Sequence, residues 1–233
     1  HYRDHDLRRI DVRPYIKAGV NELLLEIDFR QSPELYEQMR AAKIFEAIKN
    51  KLTYDTEIEA VYLVGDFGVE TPGNYEYLPR NASRYQGEFI LGPLTSKVRI
   101  DDLVYQGLPF FNGTVCLKKQ VNLTATETLG HSFALTKKFA NIVELYVNGK
   151  LVKEWYWQPY QANLDGYLVP GENEFELRLT MNLRNLFGPH HLEEGESYNV
   201  RPGAFVKEDS AWRSYSYPWN DDYSFVRFGV KID

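Results

Sequence analysis

"NLDGYLVPGENEFELRL", residues Asn163–Leu179, contains the pattern that decides the fold. Gly171 and Asn173 form a Gly-Xaa-Asn turn, in which the glycine permits a positive φ and the asparagine can hydrogen-bond the local backbone. After this turn, apolar residues occupy every second position from Phe175 to Leu179. Because successive side chains of a strand point to opposite faces, this alternation predicts a half-buried antiparallel strand.

The same pattern occurs a second time near the start of the chain. "DVRPYIKAGVNELLLEI", Asp11–Ile27, aligns with Asn163–Leu179 at a shift of 152 residues. Another pair of segments, Tyr62–Val69 and Tyr223–Val230, aligns at a shift of 161 residues. The coinciding residues of the first alignment are Tyr15 with Tyr167, Gly19 with Gly171, Asn21 with Asn173, and Glu22 with Glu174. Together the two alignments predict two tandem copies of one module.

The two predicted copies are unequal. The second has a full set of strands before its turn, at Gly87–Gly92, Gly113–Leu123, His131–Lys137 and Asn141–Gly149, and Asn148-Gly149 predicts a type I′ hairpin turn. The first copy has almost nothing before Asp11, so we expect it to be truncated or cut from a longer protein. We therefore expect residues 1–70 to be the C-terminal part of a first β-sandwich module. Residues 71–233 are expected to form a complete second module.

One helix is predicted inside the first copy, as an insert at about residues 33–50. Ser32 is a good N-cap and Pro33 suits the first helical position. Apolar residues at helical spacing form a stripe along this helix, at Leu35, Met39, Ala42, Phe45, Ile48 and Leu52. The stripe predicts either a lid over a half-exposed sandwich or a face that packs against the second copy, and we favour packing.

The composition excludes several classes of function. The net charge is -6, whereas nucleic-acid binding needs a clustered basic face, so we expect no nucleic-acid partner. No apolar run approaches the ~20 residues of a membrane span, so we expect no membrane partner. The single cysteine, Cys116, cannot form an internal disulfide and is expected to be buried and inert. Aromatic residues make up 15% of the chain, which favours β structure.

Three runs of sequence resemble a known class of domain. They are "YQGLPFFNGTV" (Tyr105–Val115), "LYVNGKLV" (Leu145–Val152) and "YLVPGENEFELRLTMNLRN" (Tyr167–Asn185). These runs are similar to the galactose-binding-like domains that flank the catalytic barrel of family 2 glycoside hydrolases and rhamnosidase-like enzymes. The resemblance implies an all-β, antiparallel jelly-roll β-sandwich, here with one helical insert and with loops at its rims available for ligands. It extends over Tyr62 to about Val230, and through the repeat over Asp11–Ile27.

The resemblance also implies a function, although a fold alone does not establish one. We expect a non-catalytic carbohydrate-binding or scaffold module of a larger glycoside hydrolase, with carbohydrate and the catalytic domain of the same polypeptide as partners. A purely structural interdomain module and a hydrolase in its own right are the alternatives. Some domains of this class hold a structural calcium at a rim, but we identify no ligand set for it. Asp221 and Asp222 are adjacent acids in a predicted loop, and we expect no cofactor.

The candidate carbohydrate-binding residues are aromatic side chains with polar neighbours. A sugar presents an apolar C–H face and a rim of hydroxyl groups, so its site needs both kinds of side chain. If residues 155–157 continue a strand, Trp155 and Trp157 share one face, and that face either covers the core or lines the sugar site. The candidates are Trp155, Trp157, Tyr160 and Gln158, with Gln161 and Asn163 nearby, and a second aromatic group at Trp212 and Trp219.

The sequence offers no evidence for chemistry within the chain. His190 and His191 are adjacent and lack the spacing of a helical metal pair, and we expect no metal site. The glutamates of the polar run Glu193–Glu196 are of the kind that is normally solvated. The strand–helix repeat of a catalytic (β/α)₈ barrel and the Gly-Xaa-Ser-Xaa-Gly nucleophile motif are both absent from the sequence.

Overall fold

A computed structural model of the chain describes residues 9–58, 61–187, 190–193, 196 and 219–232. The chain divides into two compact units, the first ending at Val64 and the second beginning at Gly65. Strands account for far more of the described residues than helices do, and every strand pair among these residues is antiparallel, which confirms the prediction of a mainly antiparallel β protein. No helix in the described part of the chain is both long and apolar enough to cross a bilayer.

The helical insert of the first unit begins where its cap predicts. Helix α1 spans Pro33–Ala42, and the Ser32 hydroxyl accepts a hydrogen bond from the Leu35 amide at 3.3 Å. The insert is two helices instead of one, because the chain turns after Ala42 before α2, Glu46–Lys49. Of the six residues in the predicted stripe, only Leu35 and Ala42 are buried, so the stripe is not one continuous buried face.

The predicted strand of the first copy does not form. No strand is present among the described residues up to Val64, and the apolar positions of Asn21–Ile27 are exposed. Backbone N–H and C=O groups form a strand only when a neighbouring strand pairs with them, and the described residues of this unit supply none. The second pair of aligned segments is strand only in part. In Tyr62–Val69 the strand begins at Gly68, and in Tyr223–Val230 the strand is interrupted after Val226 and resumes at Val230.

The second unit contains fourteen strands and one short helix among its described residues. They are β1 (Gly68–Glu70), β2 (Asn74–Tyr77), β3 (Ala82–Gln86), β4 (Ile90–Gly92), β5 (Gly113–Leu123), β6 (Ser132–Ala134), β7 (Lys137–Lys138), β8 (Ile142–Val147), β9 (Lys150–Trp155), β10 (Gln161–Asn163), β11 (Gly171–Met181), α3 (Arg184–Phe187), β12 (His190–Leu192), β13 (Trp219–Val226) and β14 (Val230–Lys231). Short 3₁₀ helices lie at Val104–Gln106 and Ala125–Thr128.

These strands form two four-stranded sheets and three two-stranded ribbons. The sheets have the orders β5-β11-β8-β9 and β12-β13-β3-β2, and the ribbons are β1-β4, β6-β10 and β7-β14. Strand β11 is central in the first sheet, pairing with β5 along its whole length and with β8 over Phe175–Thr180. Buried residues of both sheets, including Leu145 and Leu179 from the first and Tyr85 and Phe225 from the second, belong to one hydrophobic cluster.

The hairpin between β8 and β9 confirms its predicted turn. Asn148 and Gly149 have φ values of 52° and 76°, and a type I′ turn requires positive φ at both central residues. The single predicted strand His131–Lys137 is instead split into β6 and β7, because β6 pairs with β10 while β7 pairs with β14. The expectation that Cys116 is buried is wrong, since its side chain lies on the exposed face of β5.

A buried ion pair interrupts the C-terminal strand. Asp102 is fully buried and accepts hydrogen bonds from the Phe228 amide at 3.2 Å and from Arg227 Nε at 3.0 Å. The Arg227 guanidinium lies over the rings of Tyr77 and Phe139. These contacts hold Arg227–Gly229 between β13 and β14. The strand of the repeat segment Tyr223–Val230 is therefore interrupted after Val226. Asp221 and Asp222, which were expected in a loop, lie within β13.

Candidate functional site

Strand β9 ends at Trp155, whose ring is part of the core. Only 1% of Trp155 is exposed, and its ring stacks on Phe133 with the centroids 6.1 Å apart. The indole N–H donates to the Gln161 carbonyl at 3.4 Å, so the one polar atom of the ring has a partner. Trp155 is therefore not available at the surface to stack against a ligand.

The chain after Trp155 presents two exposed aromatic rings. We call residues Tyr156–Tyr160 the aromatic loop. Trp157 is 77% exposed and Tyr156 is 48% exposed, with ring centroids 5.8 Å apart and an angle of 42° between the ring planes. The shared strand face considered for Trp155 and Trp157 does not occur, because the strand ends at Trp155 and the next three residues form a bend.

Lys138 fixes the start of the aromatic loop from the neighbouring ribbon. Its ammonium donates to the carbonyl oxygens of Asn141 and Tyr156, both at 2.6 Å, and of Trp155 at 3.4 Å. Desolvation in this half-buried position lowers the pKa of Lys138. Three carbonyl oxygens thus share one cation, and two of them are the last carbonyl of β9 and the first of the aromatic loop.

The end of the aromatic loop is also held. The Leu135 amide donates to the Tyr160 carbonyl at 2.9 Å, and the half-buried Tyr160 ring packs against the core. The Lys138 ammonium lies 5.8 Å from the centroid of that ring. Gln158 is exposed and joined to Pro159 by a cis peptide bond. The loop is therefore fixed at both ends, while Trp157 and Gln158 extend into solvent between them.

An open depression of about 400 Å³ lies beside the β6-β10 ribbon, which directly follows the aromatic loop. In this ribbon Ala162 and Phe133 are paired and face the core, so Gln161 and Asn163 share the opposite, exposed face. Most of the residues that line the depression are polar. They are Gly130, His131, Ser132, Gln161, Ala162, Asn163 and Asp165.

Two side chains of the depression also hold its backbone in place. Asn163 Oδ1 accepts from the Asp165 amide at 2.8 Å, and Asp165 Oδ1 accepts from the Gly130 amide at 2.8 Å. The Asn163 side-chain N–H₂ and the side chains of Gln161 and Ser132 have no hydrogen-bond partner among the described residues. The depression therefore offers both donors and acceptors to a polar ligand.

Charged side chains of both signs lie on β8 and β9, and Lys153 and Glu154 directly precede the last residue of β9. Glu144 and Glu154 are directly opposite each other on these two strands. A hydrogen bond to Glu154 raises the pKa of the Tyr156 hydroxyl. The nearest cation, Lys138, already donates to three carbonyl oxygens. Among the described residues no group of three or more His, Cys, Asp or Glu is arranged to hold a metal ion.

The second aromatic group of candidates cannot be assigned to this surface. Trp212 lies outside the described residues, as does the Gly188-Pro189 turn. Trp219 begins strand β13, and its side chain lies outside the described part of the chain. The sequence did not indicate Lys138, Ser132 or Asp165, because they lie on strands and turns that only the fold brings next to the aromatic loop and β10.

Comparison with known proteins gives structural neighbours only. No family model matches the chain, and no curated protein matches it. A rhamnosidase from Novosphingobium sp. PP1Y is similar with a TM-score of 0.35 and 15% identity, over 73% of this chain and 16% of that chain. A β-D-glucuronidase from Dictyoglomus thermophilum is similar with a TM-score of 0.29 and 18% identity, over 66% of this chain and 24% of that chain. Both neighbours are glycoside hydrolases, and this chain spans less than a quarter of the length of each.

Proposed function

We propose that this chain is a non-catalytic module of a larger glycoside hydrolase and that it binds carbohydrate through the aromatic loop and the adjacent depression. Trp157 supplies the ring on which a sugar stacks, and Tyr156 supplies a second surface at an angle to it. Gln158 and the polar side chains of the depression, Gln161 and Asn163, bind hydroxyl groups. Trp155 and Tyr160 support the loop from the core.

The exposure of Trp157 on a fixed loop is the observation that carries the proposal. Tryptophan is highly buried on average, so a ring that is 77% exposed needs an explanation. The bonds from Lys138 and Leu135 hold the backbone on both sides of this ring before any ligand arrives. A loop that is already ordered loses less conformational entropy on binding, which favours affinity.

The polar side chains of the depression complement the stacking surface. A sugar hydroxyl both donates and accepts, and it binds best where both kinds of partner are free. The free Asn163 N–H₂ is a donor, the Gln161 amide offers a donor and an acceptor, and the Ser132 hydroxyl can do either. Because Gln161 follows Tyr160 directly in the chain, the polar and aromatic parts of the site adjoin each other.

The charge of the surroundings favours a neutral glycan over an acidic one. Glu154 and Asp165 carry negative charge near the two parts of the site, and the chain as a whole has a net charge of -6. A uronate or sulfate group would be repelled by these carboxylates, and the ammonium that contacts the loop, that of Lys138, is already bonded to three carbonyl oxygens. We therefore propose that the ligand is a neutral oligosaccharide.

A glycan-library screen on the whole chain tests the proposal. We expect binding to one or more neutral glycans, with weaker or no binding to their uronic acid counterparts. Trp157→Ala should abolish this binding, whereas Tyr36→Ala, which removes an exposed ring from helix α1, should leave it unchanged. Binding that is unaffected by Trp157→Ala, in a variant with an unchanged denaturation curve, would refute the assignment of the site.

A purely structural role is the second candidate, and the exposed apolar surface of the first unit favours it. Val20 and Leu24 are among many large apolar side chains exposed there, and such surfaces mark contacts with other polypeptide. Failure of every glycan to bind the whole chain would support this structural role over the carbohydrate-binding one.

A further inference from the structure

Arg227 is fixed in place, but it uses only one of its five side-chain N–H donors within the described part of the chain. Its Nε donates to Asp102 Oδ2 at 3.0 Å, while Asp102 Oδ1 accepts from the amides of Val104 and Phe228, both at 3.2 Å. The two terminal nitrogens, Nη1 and Nη2, have no hydrogen-bond partner among the described residues and are not fully buried. A guanidinium of fixed orientation thus offers four N–H donors to a ligand.

Two aromatic rings cover the faces of this guanidinium. Its central carbon lies 4.6 Å from the ring centroid of Tyr77, on β2, and 4.4 Å from that of Phe139, which directly follows β7. The two rings do not contact each other in the described part of the chain, so they cover different sides of Arg227. Because the rings keep water from the faces, a ligand reaches the guanidinium along its edge, in the plane of the terminal N–H groups.

Backbone hydrogen bonds hold these side chains in position. The Arg227 amide donates to the Asn81 carbonyl at 3.0 Å, in the turn that joins β2 to β3, and the Phe139 amide donates to the Gly229 carbonyl at 2.9 Å. The segments that carry Tyr77, Phe139 and Arg227 are thus connected to one another before any ligand binds. A site that is already ordered loses less conformational entropy on binding.

Arg178 is a similar arginine whose donors are partly used within the fold. Its Nε bonds to Glu176, and its Nη1 donates at 3.3 Å to the hydroxyl of Tyr146, whose ring centroid lies 4.1 Å from the guanidinium carbon. This ring is the only one that covers Arg178 in the described part of the chain. The Arg178 side chain is 39% exposed, against 16% for Arg227. Arg227 therefore combines two covered faces with unused terminal donors, a combination that Arg178 lacks.

We propose that the edge of the Arg227 guanidinium binds a carboxylate group, whose two oxygens accept parallel hydrogen bonds from Nη1 and Nη2. A planar carboxylate matches the planar fork of arginine, and the rings of Tyr77 and Phe139 on either side favour a planar group over a bulkier one. The ion pair with Asp102 already balances the charge of Arg227. Binding therefore depends on the two hydrogen bonds more than on a long-range attraction of anions.

The carboxylate belongs either to a small organic acid or to an acidic side chain of a polypeptide. Tyr77 is 54% exposed beside the fork, and it offers apolar contact to the group that carries the carboxylate. None of the residues of this site belongs to the aromatic loop or to the depression, so the proposal does not rest on the carbohydrate site.

An NMR titration of the whole chain with sodium acetate tests the site. Acetate replaces sodium chloride at constant ionic strength, so that screening stays the same. The Nε–H of Arg227 donates to a buried carboxylate, which slows its exchange with water and makes its signal observable. We expect this signal to shift saturably, with half-saturation at about 10 mM acetate. The Nε signal of Arg178 is the internal control and should change only linearly. A linear change at Arg227, or the same saturation at both arginines, would overturn the proposal.

Two variants assign the shift to the fork. Arg227→Lys keeps a positive charge for Asp102 but has no planar fork, so the saturable shift that acetate produces in the amide signals of Tyr77 and Phe139 should disappear. Phe139→Leu removes one ring and keeps the ion pair, and it should weaken acetate binding about threefold. Unchanged amide signals over β11 show in both cases that the second unit is folded. If Arg227→Lys does not fold, Phe139→Leu is the deciding variant, and undiminished acetate binding by it would overturn the proposal.

Two further probes define the chemical class of the ligand and its source. Inorganic phosphate is tetrahedral, and half-saturation at the same concentration as acetate would overturn the assignment of a carboxylate site. A capped tripeptide with a central glutamate separates the two sources. Binding about fivefold tighter than that of acetate identifies an acidic side chain as the ligand, and equal binding identifies a small organic acid. The same tripeptide with glutamine should cause no saturable shift, and an equal shift would overturn the proposal.

Discussion

Trp155 and Trp157 are separated by one residue, yet the first is 1% exposed and the second is 77% exposed. The difference arises because β9 ends at Trp155 and because the Lys138 ammonium binds the carbonyl oxygens of both Trp155 and Tyr156. A core tryptophan thus supports an exposed one through a single intervening residue. This relationship allows a ring to be held at the surface without being part of the core.

Replacing the two tryptophans should have very unequal consequences for stability. We expect Trp155→Ala to lower the free energy of unfolding by about 3–5 kcal/mol, because it opens a large cavity beside Phe133 and leaves the Gln161 carbonyl without its donor. Trp157→Ala should change the free energy of unfolding by less than about 0.5 kcal/mol, since its ring is mainly in solvent. Urea denaturation of the two variants measures both values. Equal destabilisation by the two substitutions would contradict the assigned positions.

The role of Lys138 can be tested without touching the binding surface. Lys138→Met removes the ammonium that binds three carbonyl oxygens, and we expect a loss of about 2 kcal/mol in stability and faster amide exchange at Tyr156–Gln158. Glycan affinity should fall as well, because the loop must then be ordered on binding. Lys137→Met, at the exposed neighbouring position of β7, is the matched control and should leave exchange and affinity unchanged. A Lys138→Met variant with unaltered exchange would show that the loop is held by other groups.

The repeated asparagine should matter more in one copy than in the other. Asn173 is fully buried and also accepts from Asn148, so Asn173→Ala leaves several buried groups unpaired and should cost about 2–3 kcal/mol. The three bonds of Asn21, to the backbone of Lys17 and Gly19, are exposed to solvent, and Asn21→Ala should cost less than about 1 kcal/mol in the isolated chain. Chemical denaturation of the two variants gives the comparison. A larger loss for Asn21→Ala would mean that its turn is buried in solution.

Glu176 predicts a dependence of stability on pH. Hydrogen bonds from Arg178 and then from Lys118 lower the pKa of this carboxyl below its ordinary value of 4.5. Because the folded pKa is lower than the unfolded one, the unfolded chain binds more protons in this range, and stability increases with pH. We expect Glu176→Gln to cost about 1 kcal/mol at pH 7. That difference from the original chain should decrease as the pH falls below about 4.5. Denaturation at several pH values measures it, and a difference independent of pH would refute the ion pair's contribution.

Local patterns predicted much of the second unit. The limits of β5, Gly113–Leu123, agree with the predicted strand at both ends, because turn residues bound an alternating run. The positive φ values of Asn148 and Gly149 follow from the preference of this pair for a type I′ turn. The N-terminus of α1 likewise follows from Ser32 and Pro33. In each case the information lies within a few consecutive residues.

Features that depend on distant partners could not be predicted in the same way. The aromatic loop points where it does because Lys138, 17 residues before Trp155, binds the backbone there. The strand predicted after Asn21 fails to form because a strand requires a pairing neighbour, and the pattern alone does not show whether one is present. The depression likewise combines β6 and β10, which are far apart in sequence.

Calorimetric titration of the whole chain with the neutral oligosaccharide that binds most strongly in the glycan screen tests the central claim most directly. The account predicts measurable binding by the original chain and by Tyr36→Ala. It predicts at least a tenfold loss of affinity in Trp157→Ala, and partial recovery in Trp157→Phe, which restores a stacking ring. Equal affinity of the original chain and Trp157→Ala would contradict the claim that this exposed ring forms the carbohydrate-binding surface.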